Sequence, residues 1–399
     1  VKLTESDTIM DLSGKFKNAD TKNLYSMLSF FKNMNVEANA SGSWSVKGTA
    51  SAPTVKANVR TGSGRFMDMR VDRFASDISY GSGKLTLSPM RISAYEGSAA
   101  LNCEVLLSSN SAQTPWSVSG KANGVDLSVL NGILRTSEDI DGKCTLDITA
   151  GDNGSGIKWK AVIGDASPRW TTFKTERMSG TISGTTESVN IEKMSVNFLR
   201  GEHTIKGTVK LPPKGRPSGE TAIDIDISSK NINMYEALRK YLPAVRGIQG
   251  LIKADVSISG TAKDPQFSGK GTLAPLRYRG FLLPMVDVDF SGSMTEIRVS
   301  RAEAKLSGGK IFGSAKMFKK GEDWNSVVDA KGISVDIRQF GAYLPDKFRA
   351  GLGGRVNFNM HGSGKVGAFE GKGTFSSKRM KFMGLNLKNI TAPFFITDG

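Results

Sequence analysis

Few residues of this chain are placed to do acid–base or metal chemistry. Its 399 residues include two histidines, His203 and His361, and no H-E-x-x-H or C-x-x-C pattern, so the usual zinc spacing is missing. The cysteines, Cys103 and Cys144, alternate with apolar neighbours and are expected to be small buried hydrophobic residues, although an oxidising compartment would permit a disulfide. No carboxylate pair stands out for general acid–base catalysis. We therefore expect a protein that is not an enzyme and has no cofactor.

One segment fits a nucleotide-binding pattern. Residues 362–367, GSGKVG, match G-x-G-x-x-G and follow a strand-like run. A dinucleotide site also needs a helix whose N-terminus faces the pyrophosphate, whereas residues 369–374 form another strand-like run. We interpret the segment as a glycine-rich turn. There is no G-x-S-x-G or P-loop pattern.

The charge balance is basic, with 54 Lys and Arg against 38 Asp and Glu and a net charge of +16. Such a surface could face nucleic acid, anionic lipid headgroups or an acidic partner. Most of these cations alternate with apolar residues, and the densest runs are Lys319–Lys320 and residues 378–381, KRMK. Nucleic-acid binding needs a basic stripe or patch. We therefore expect no nucleic-acid partner, and the dispersed charges fit a solvated face.

Most of the chain alternates apolar and polar residues with period two, as in Ile223, Ile225 and Ile227 with aspartates between them. This period is typical of a strand with one apolar and one polar face. Glycine-rich turns separate the strand-like runs at short intervals, which favours antiparallel neighbours. The sequence predicts an all-β fold.

Four short stretches have helical spacing instead, each after a residue suited to capping a helix. Their apolar residues are Leu24, Met27, Leu28 and Phe31; Leu127, Leu130 and Leu134; Leu238, Tyr241 and Leu242; and Phe340, Tyr343 and Leu344. The caps Asn23, Asp126, Asn233 and Asp336 are 103, 107 and 103 residues apart.

This spacing predicts about four repeats in one continuous array over residues 1–399. The predicted units are a partial 1–22, then 23–125, 126–232, 233–335 and a truncated 336–399. Each complete unit has one short amphipathic helix and several strands. We interpret the chain as a fragment of a longer protein, with no membrane-spanning segment inside the fragment.

Four short helices cannot cover the apolar side of so many strands. The strands present an apolar area on the order of 4,000 Å², while four helices cover well under roughly 1,000 Å². A soluble protein does not leave such an area bare. The sheet must close on itself as a dry sandwich or solenoid, or curl into an open trough that holds a ligand.

If the trough is open, apolar residues in the middle of the strands line it. We predict as lipid-binding residues Leu85, Leu87, Ile223, Ile225, Ile227, Val256, Ile258, Val286, Val288, Phe290 and Phe358.

The combination of a capped short helix, an alternating strand, Gly-Thr-Ala-x-x-Pro and a glycine-rich strand resembles the repeats of the TamB/AsmA-like family. Gly48-Thr49-Ala50 with Pro53 recurs as Gly260-Thr261-Ala262 with Pro265. The resemblance covers nearly the whole chain and is strongest over residues 20–107 and 231–375. It implies an elongated, curled antiparallel sheet forming an open groove, in a periplasmic protein anchored in the bacterial inner membrane.

The family resemblance implies a non-enzymatic conduit that holds phospholipid acyl chains during transport between the inner and outer membranes. An alternative is a scaffold that aids outer-membrane protein insertion with a TamA-like barrel partner. A dry β-solenoid that binds polysaccharide predicts aromatic residues on the polar face. Trp44 and Trp159 lie in register with apolar neighbours instead.

Overall fold

Among the residues that the structure describes, the protein is all-β, and 22 strands belong to one antiparallel sheet that is not closed. It divides into two compact units, Val1–Val196 and Asn197–Gly399. The computed structural model describes residues 9–21, 36–66, 69–107, 114–128, 140–169, 175–212, 220–241, 247–278, 281–306, 308–343, 349, 351–365 and 368–397.

In the first unit, antiparallel strands follow one another across the large sheet in the order β1, β3, β4, β7, β8, β9, β10, β11, β12 and β13. Three short strands, β2, β5 and β6, form a separate small sheet. The unit boundary falls within β14. The bounds are β1 Ile9–Asp20, β2 Val36–Glu37, β3 Asn39–Thr49, β4 Ala52–Thr61, β5 Gly64–Phe66, β6 Met69–Val71, β7 Arg73–Gly81, β8 Lys84–Ala94, β9 Gly97–Leu106, β10 Trp116–Asp126, β11 Lys143–Asp152, β12 Ile157–Ala166, β13 Arg177–Gly184 and β14 Ser188–Phe198.

The second unit continues the same consecutive pairing, in the order β15, β16, β18, β19, β22, β23, β24, β25, β26, β27 and β28. Strands β17, β20 and β21 form a second small sheet. The strand bounds are β15 Gly201–Lys210, β16 Ala222–Asn233, β17 Ile248–Gln249, β18 Leu251–Thr261, β19 Pro265–Leu273, β20 Leu276–Tyr278, β21 Phe281–Leu283, β22 Val286–Gly292, β23 Glu296–Leu306, β24 Gly309–Lys320, β25 Asp323–Asp336, β26 Gly353–Lys365, β27 Ala368–Phe382 and β28 Leu385–Thr397. The helical elements are α1, Met234–Tyr241, and the 3-10 helix η1, Ile337–Tyr343.

Helix α1 begins directly after Asn233, at the position expected from the sequence. The Asn233 Oδ1 atom accepts a hydrogen bond from the backbone N–H of Glu236 at 3.2 Å. This bond satisfies one of the backbone donors that the first turn of a helix leaves unpaired. The residue that ends β16 therefore also starts the helix.

The segment after Asp336 forms a 3-10 helix instead of an α-helix. Its first turn is stabilised by Asp336, whose carboxylate accepts hydrogen bonds from the backbone N–H and the guanidinium of Arg338. The predicted cap Asp126 accepts a hydrogen bond from the Ser128 N–H at 2.8 Å. The helices predicted after Asp126 and Asn23 lie outside the described residues, and the repeat boundaries stay a prediction.

The strand register places apolar residues opposite one another on one face. Ile225 and Ile227 of β16 lie opposite Ile258 and Val256 of β18. A slip of one residue would turn every one of these side chains to the polar face, so the alternating pattern specifies the register.

The two cysteines are free thiols. Cys103 lies opposite Val118 of β10, while Cys144 lies opposite Val125 of the same strand. Val118 and Val125 are seven residues apart on β10, which corresponds to roughly 20 Å. A disulfide needs Cα atoms within about 7 Å, so these two cysteines lie too far apart to form one. Desolvation raises the pKa of both thiols, as expected for small apolar-face residues.

Candidate functional site: the apolar face of the sheet

The apolar face of the second unit is fully buried near one end of its strands. We call this region the covered strip and define it by Val286, Ala304, Leu306, Val335 and Val356, whose exposed fractions run from 0% to 8%. They form two packed clusters with their neighbours. The strands therefore have a well-packed core at this end.

Local elements that follow the strands cover this strip. Met234 of α1 and Leu276 of β20 pack against the cluster around Val286. Ile337 and Phe340 of η1 pack against the cluster around Val335. Because each of these covering elements is only a few residues long, it packs over only part of the length of the strands beneath it.

The rest of the same apolar face is half-buried. On β22, Val286 is 6% exposed, whereas Val288 and Phe290, two and four residues further on the same face, are only partly covered. On β26, Val356 is 3% exposed, whereas Phe358 is partly covered. We call this half-buried region the open strip.

Eight of the nine predicted lining residues of the second unit belong to the open strip, and Val286 belongs to the covered strip instead. Val286 is buried because Leu276 and Leu283, from the short sheet, pack on the same cluster. The eight are Ile223, Ile225, Ile227, Val256, Ile258, Val288, Phe290 and Phe358.

The ladders bring most of these eight residues together. Ile225 and Ile227 of β16 lie opposite Ile258 and Val256 of β18. Strand β19 then connects β18 to β22, because its Gly269 lies opposite both Val256 and Phe290. Phe358 lies further away, on β26, with three strands between it and β22. From Phe290 the apolar face continues through three residues that were not predicted, Val299 of β23, Ala315 of β24 and Val328 of β25. Phe358 lies four residues away from the end of this row, and it packs against the cluster around Val335.

In the first unit, the predicted residues Leu85 and Leu87 lie on β8, and both are half-buried. Leu87 lies between Ile78 of β7 and Cys103 of β9, so the apolar face continues across these three strands.

Aromatic rings on the apolar face lie across glycines of the neighbouring strand. Phe267 of β19 covers Gly292 of β22, and Phe290 of β22 covers Gly269 of β19. A Cβ atom at Gly292 would come within 2.7 Å of the Phe267 ring, and one at Gly269 within 2.9 Å of the Phe290 ring. The two rings therefore occupy the space that side chains at the glycines would fill.

The first unit has the same reciprocal arrangement between β1 and β3. Trp44 lies over Gly14, and the ring of Phe16 lies over Gly42. The aromatic-x-glycine and glycine-x-aromatic spacings were present in the sequence. Only the pairing of the two strands shows that each ring meets a glycine.

The opposite face of the sheet is solvent-exposed and carries ion pairs between neighbouring strands. Lys84 pairs with Glu104 at 2.8 Å, and Lys316 with Glu296 at 2.9 Å. The hydrogen bond from Lys316 holds the pKa of Glu296 below its usual value. Exposed pairs of this kind contribute roughly 0–1 kcal/mol each, so they make the face polar more than they stabilise it.

Two concave regions lie over polar-face residues and contain none of the predicted lining residues. The larger, of about 630 Å³, spans β1 to β8 and is lined mainly by hydroxyl and amide side chains with Lys15, Lys56 and Asp77. The smaller, of about 460 Å³, is lined by serines of β18 to β22 and by Arg298. Trp44 and Ile78 also line the larger region, and Phe267 lines the smaller one, so both contain apolar as well as polar side chains.

The histidines have ordinary partners. The His203 ring nitrogens lie 2.8 Å from Ser229 Oγ and 3.0 Å from the Phe198 carbonyl oxygen. His361 lies on the exposed face, 2.8 Å from Asp329. Across the described residues there is no cluster of three His, Cys, Asp or Glu side chains that could hold a metal ion. None of the helices in that part of the chain is long and apolar enough to cross a membrane.

Comparison of the chain with protein-family models, curated proteins and solved structures finds no match. The resemblance to the TamB/AsmA-like family therefore stays a prediction, and the functional argument depends on the sheet itself.

Proposed function

We propose that the open strip binds lipid acyl chains, and that the protein is a non-enzymatic conduit that carries phospholipid between the inner and outer membranes of a bacterium. The observation that carries the proposal is the contrast along β22. Val286 is buried under neighbouring elements, while Val288, which packs against the edge of the same cluster, and Phe290 are half-buried. A continuous apolar surface left half-covered is typical of a binding site for an apolar ligand.

The free energy of transfer explains why a conduit would need such a surface. Each buried methylene contributes about 0.8 kcal/mol, so exposing a 16-carbon chain to water costs roughly 13 kcal/mol. An acyl chain that slides from the isoleucines of β16 to Val288 of β22 avoids this cost because its surroundings stay apolar. The headgroup remains in water at the open side.

The proposal includes the finer architecture that the family resemblance implies. The sheet would be elongated and curled lengthwise into an open groove, built from about four repeats of roughly 105 residues. The protein would work in the periplasm, anchored in the inner membrane. The consecutive antiparallel pairing of the strands within each unit supports this reading.

Bound lipid is the direct test. The protein would be purified without detergent and measured by native mass spectrometry, then delipidated and offered a fluorescent phospholipid. We expect phospholipid adducts in the first measurement and uptake in the second. Delipidated protein that stays folded and takes up no lipid would refute the proposal.

A second candidate function is a scaffold for outer-membrane protein insertion with a TamA-like barrel partner. The observation that favours it is the large apolar side chain of Phe395 in β28, which is 76% exposed. Exposed large apolar side chains are typical of surfaces that bind another protein. Photo-crosslinkers at Phe395 and at Phe290 separate the two functions: protein adducts at Phe395 favour the scaffold, and lipid adducts at Phe290 favour the conduit.

A further inference from the structure

Basic residues on the polar face are usually matched by an acidic residue on the next strand. Lys365 of β26 lies 2.7 Å from Asp323 of β25. The dense pair Lys319–Lys320 lies beside two carboxylates: Lys319 is 3.9 Å from Glu322, and Lys320 lies opposite Asp323. Charge matching across strands is the stabilising arrangement.

Like charges also lie opposite each other on β23 and β24, but there Glu296 pairs with both Arg298 and Lys316. Strands β27 and β28 have a like-charge pair without such a carboxylate. Arg379 of β27 lies directly opposite Lys388 of β28, and Lys378 and Lys381 flank Arg379 on its own strand. We call these four residues the basic tip. All four are exposed, and none forms an ion pair with any residue that the structure describes. A like-charge pair directly across two strands is destabilising, so stability does not account for it.

The turn beside the basic tip presents apolar side chains to solvent. Met383, in the turn between β27 and β28, is 53% exposed, and Leu385, the first residue of β28, is 63% exposed. Met383 is four residues beyond Arg379 along the chain, a distance of about 13 Å. The cations of the basic tip therefore lie within one or two Debye lengths of Met383 and Leu385 at physiological salt.

We propose that this turn and the basic tip dock on the surface of a bilayer containing anionic phospholipid. Met383 and Leu385 enter the headgroup region, and the four cations face the lipid phosphates. Exposed apolar residues combined with neighbouring cations are the combination that binds such an interface. A nucleic acid would engage the cations but would leave the two apolar side chains in water. The proposal does not depend on acyl-chain binding by the open strip.

The test is co-sedimentation of the full chain with vesicles of phosphatidylcholine alone or mixed with phosphatidylglycerol. We expect binding to the mixed vesicles and little to the neutral ones. Each cation near an anionic surface contributes about fivefold to binding, so Arg379→Gln with Lys388→Gln weakens binding about 25-fold. The same variant does not lower the thermal midpoint, because it removes a repulsive pair.

The matched control is Lys316→Gln with Lys365→Gln, which changes the net charge equally but removes two cations that each pair with a carboxylate, Glu296 at 2.9 Å and Asp323 at 2.7 Å. It leaves vesicle binding within about twofold of the unchanged protein. Met383→Ser with Leu385→Ser weakens the binding that persists at high salt, since that part comes from apolar burial. Equal losses from the two double charge variants, or equal binding to neutral vesicles, would overturn the proposal. Duplex DNA that displaces the vesicles while Met383→Ser with Leu385→Ser binds normally would replace it with nucleic-acid binding.

Discussion

A carboxylate introduced at each of two neighbouring positions of β22 distinguishes an open apolar face from a packed core. Val286 is 6% exposed and packs against Leu273 and Ala304. Val286→Asp buries an unpaired charge there, which costs about 3–5 kcal/mol. Val288 lies two residues further on the same face and is half-buried. Because a carboxylate there keeps contact with water, Val288→Asp costs about 1–2 kcal/mol, mostly from lost apolar burial.

These costs predict different thermal midpoints and lipid contents. For a unit of about 200 residues, 1 kcal/mol shifts the midpoint by about 2–4 °C. Circular dichroism should therefore show a fall of roughly 10 °C for Val286→Asp and only a few degrees for Val288→Asp. Native mass spectrometry of the folded Val288→Asp protein should show little bound lipid, because the charge lies where the acyl chain would pass.

Asp287 lies between these two positions on the polar face, opposite Thr272 of β19. Asp287→Asn therefore serves as the control and should change neither the thermal midpoint nor the lipid content appreciably. If Val286→Asp and Val288→Asp lowered the midpoint equally, the two residues would share one packed core. The distinction between covered and open strips, and with it the acyl-chain proposal, would be wrong.

Three further predictions concern helix starts and a packing contact in the second unit. Asn233→Ala removes the cap of α1 and should lower the free energy of unfolding by about 1 kcal/mol, measured by urea denaturation, whereas Asn233→Asp should preserve it. Gly332→Ala places a Cβ in the space of the Phe358 ring and should lower the free energy of unfolding by about 1–3 kcal/mol. Adding Phe358→Leu should recover part of that loss in a double-mutant cycle. If the effects of the two substitutions on the free energy of unfolding were strictly additive, the contact would be contradicted. Hydrogen bonds from Arg338 lower the pKa of Asp336, so their stabilising effect is present above the unfolded-state pKa of the carboxyl and is lost as pH falls through its lower folded-state pKa. Arg338→Gln should reduce this acid-limb dependence of the thermal midpoint, and an unchanged pH profile would refute the role of the pair.

The sequence predicted the features that depend on local chemistry. Alternation specified strands and their two faces because successive side chains of a strand point to opposite sides. Asn233 was identifiable as a helix cap because its side chain can satisfy backbone donors of the residues that directly follow it. Asp336 was identified in the same way. Its helix nevertheless adopts the 3-10 form, since capping chemistry marks where a helix begins and leaves its hydrogen-bond pattern open.

Features that depend on residues distant in the chain were decided by the tertiary structure alone. Val286 and Val288 have the same place in the alternating pattern, and only the packing of β20 and β21 over one of them separates buried from open. Arg379 and Lys388 lie opposite each other only through the register of β27 and β28. A strand pattern specifies which side of the sheet a residue faces, whereas its neighbours are set by contacts that the pattern does not contain.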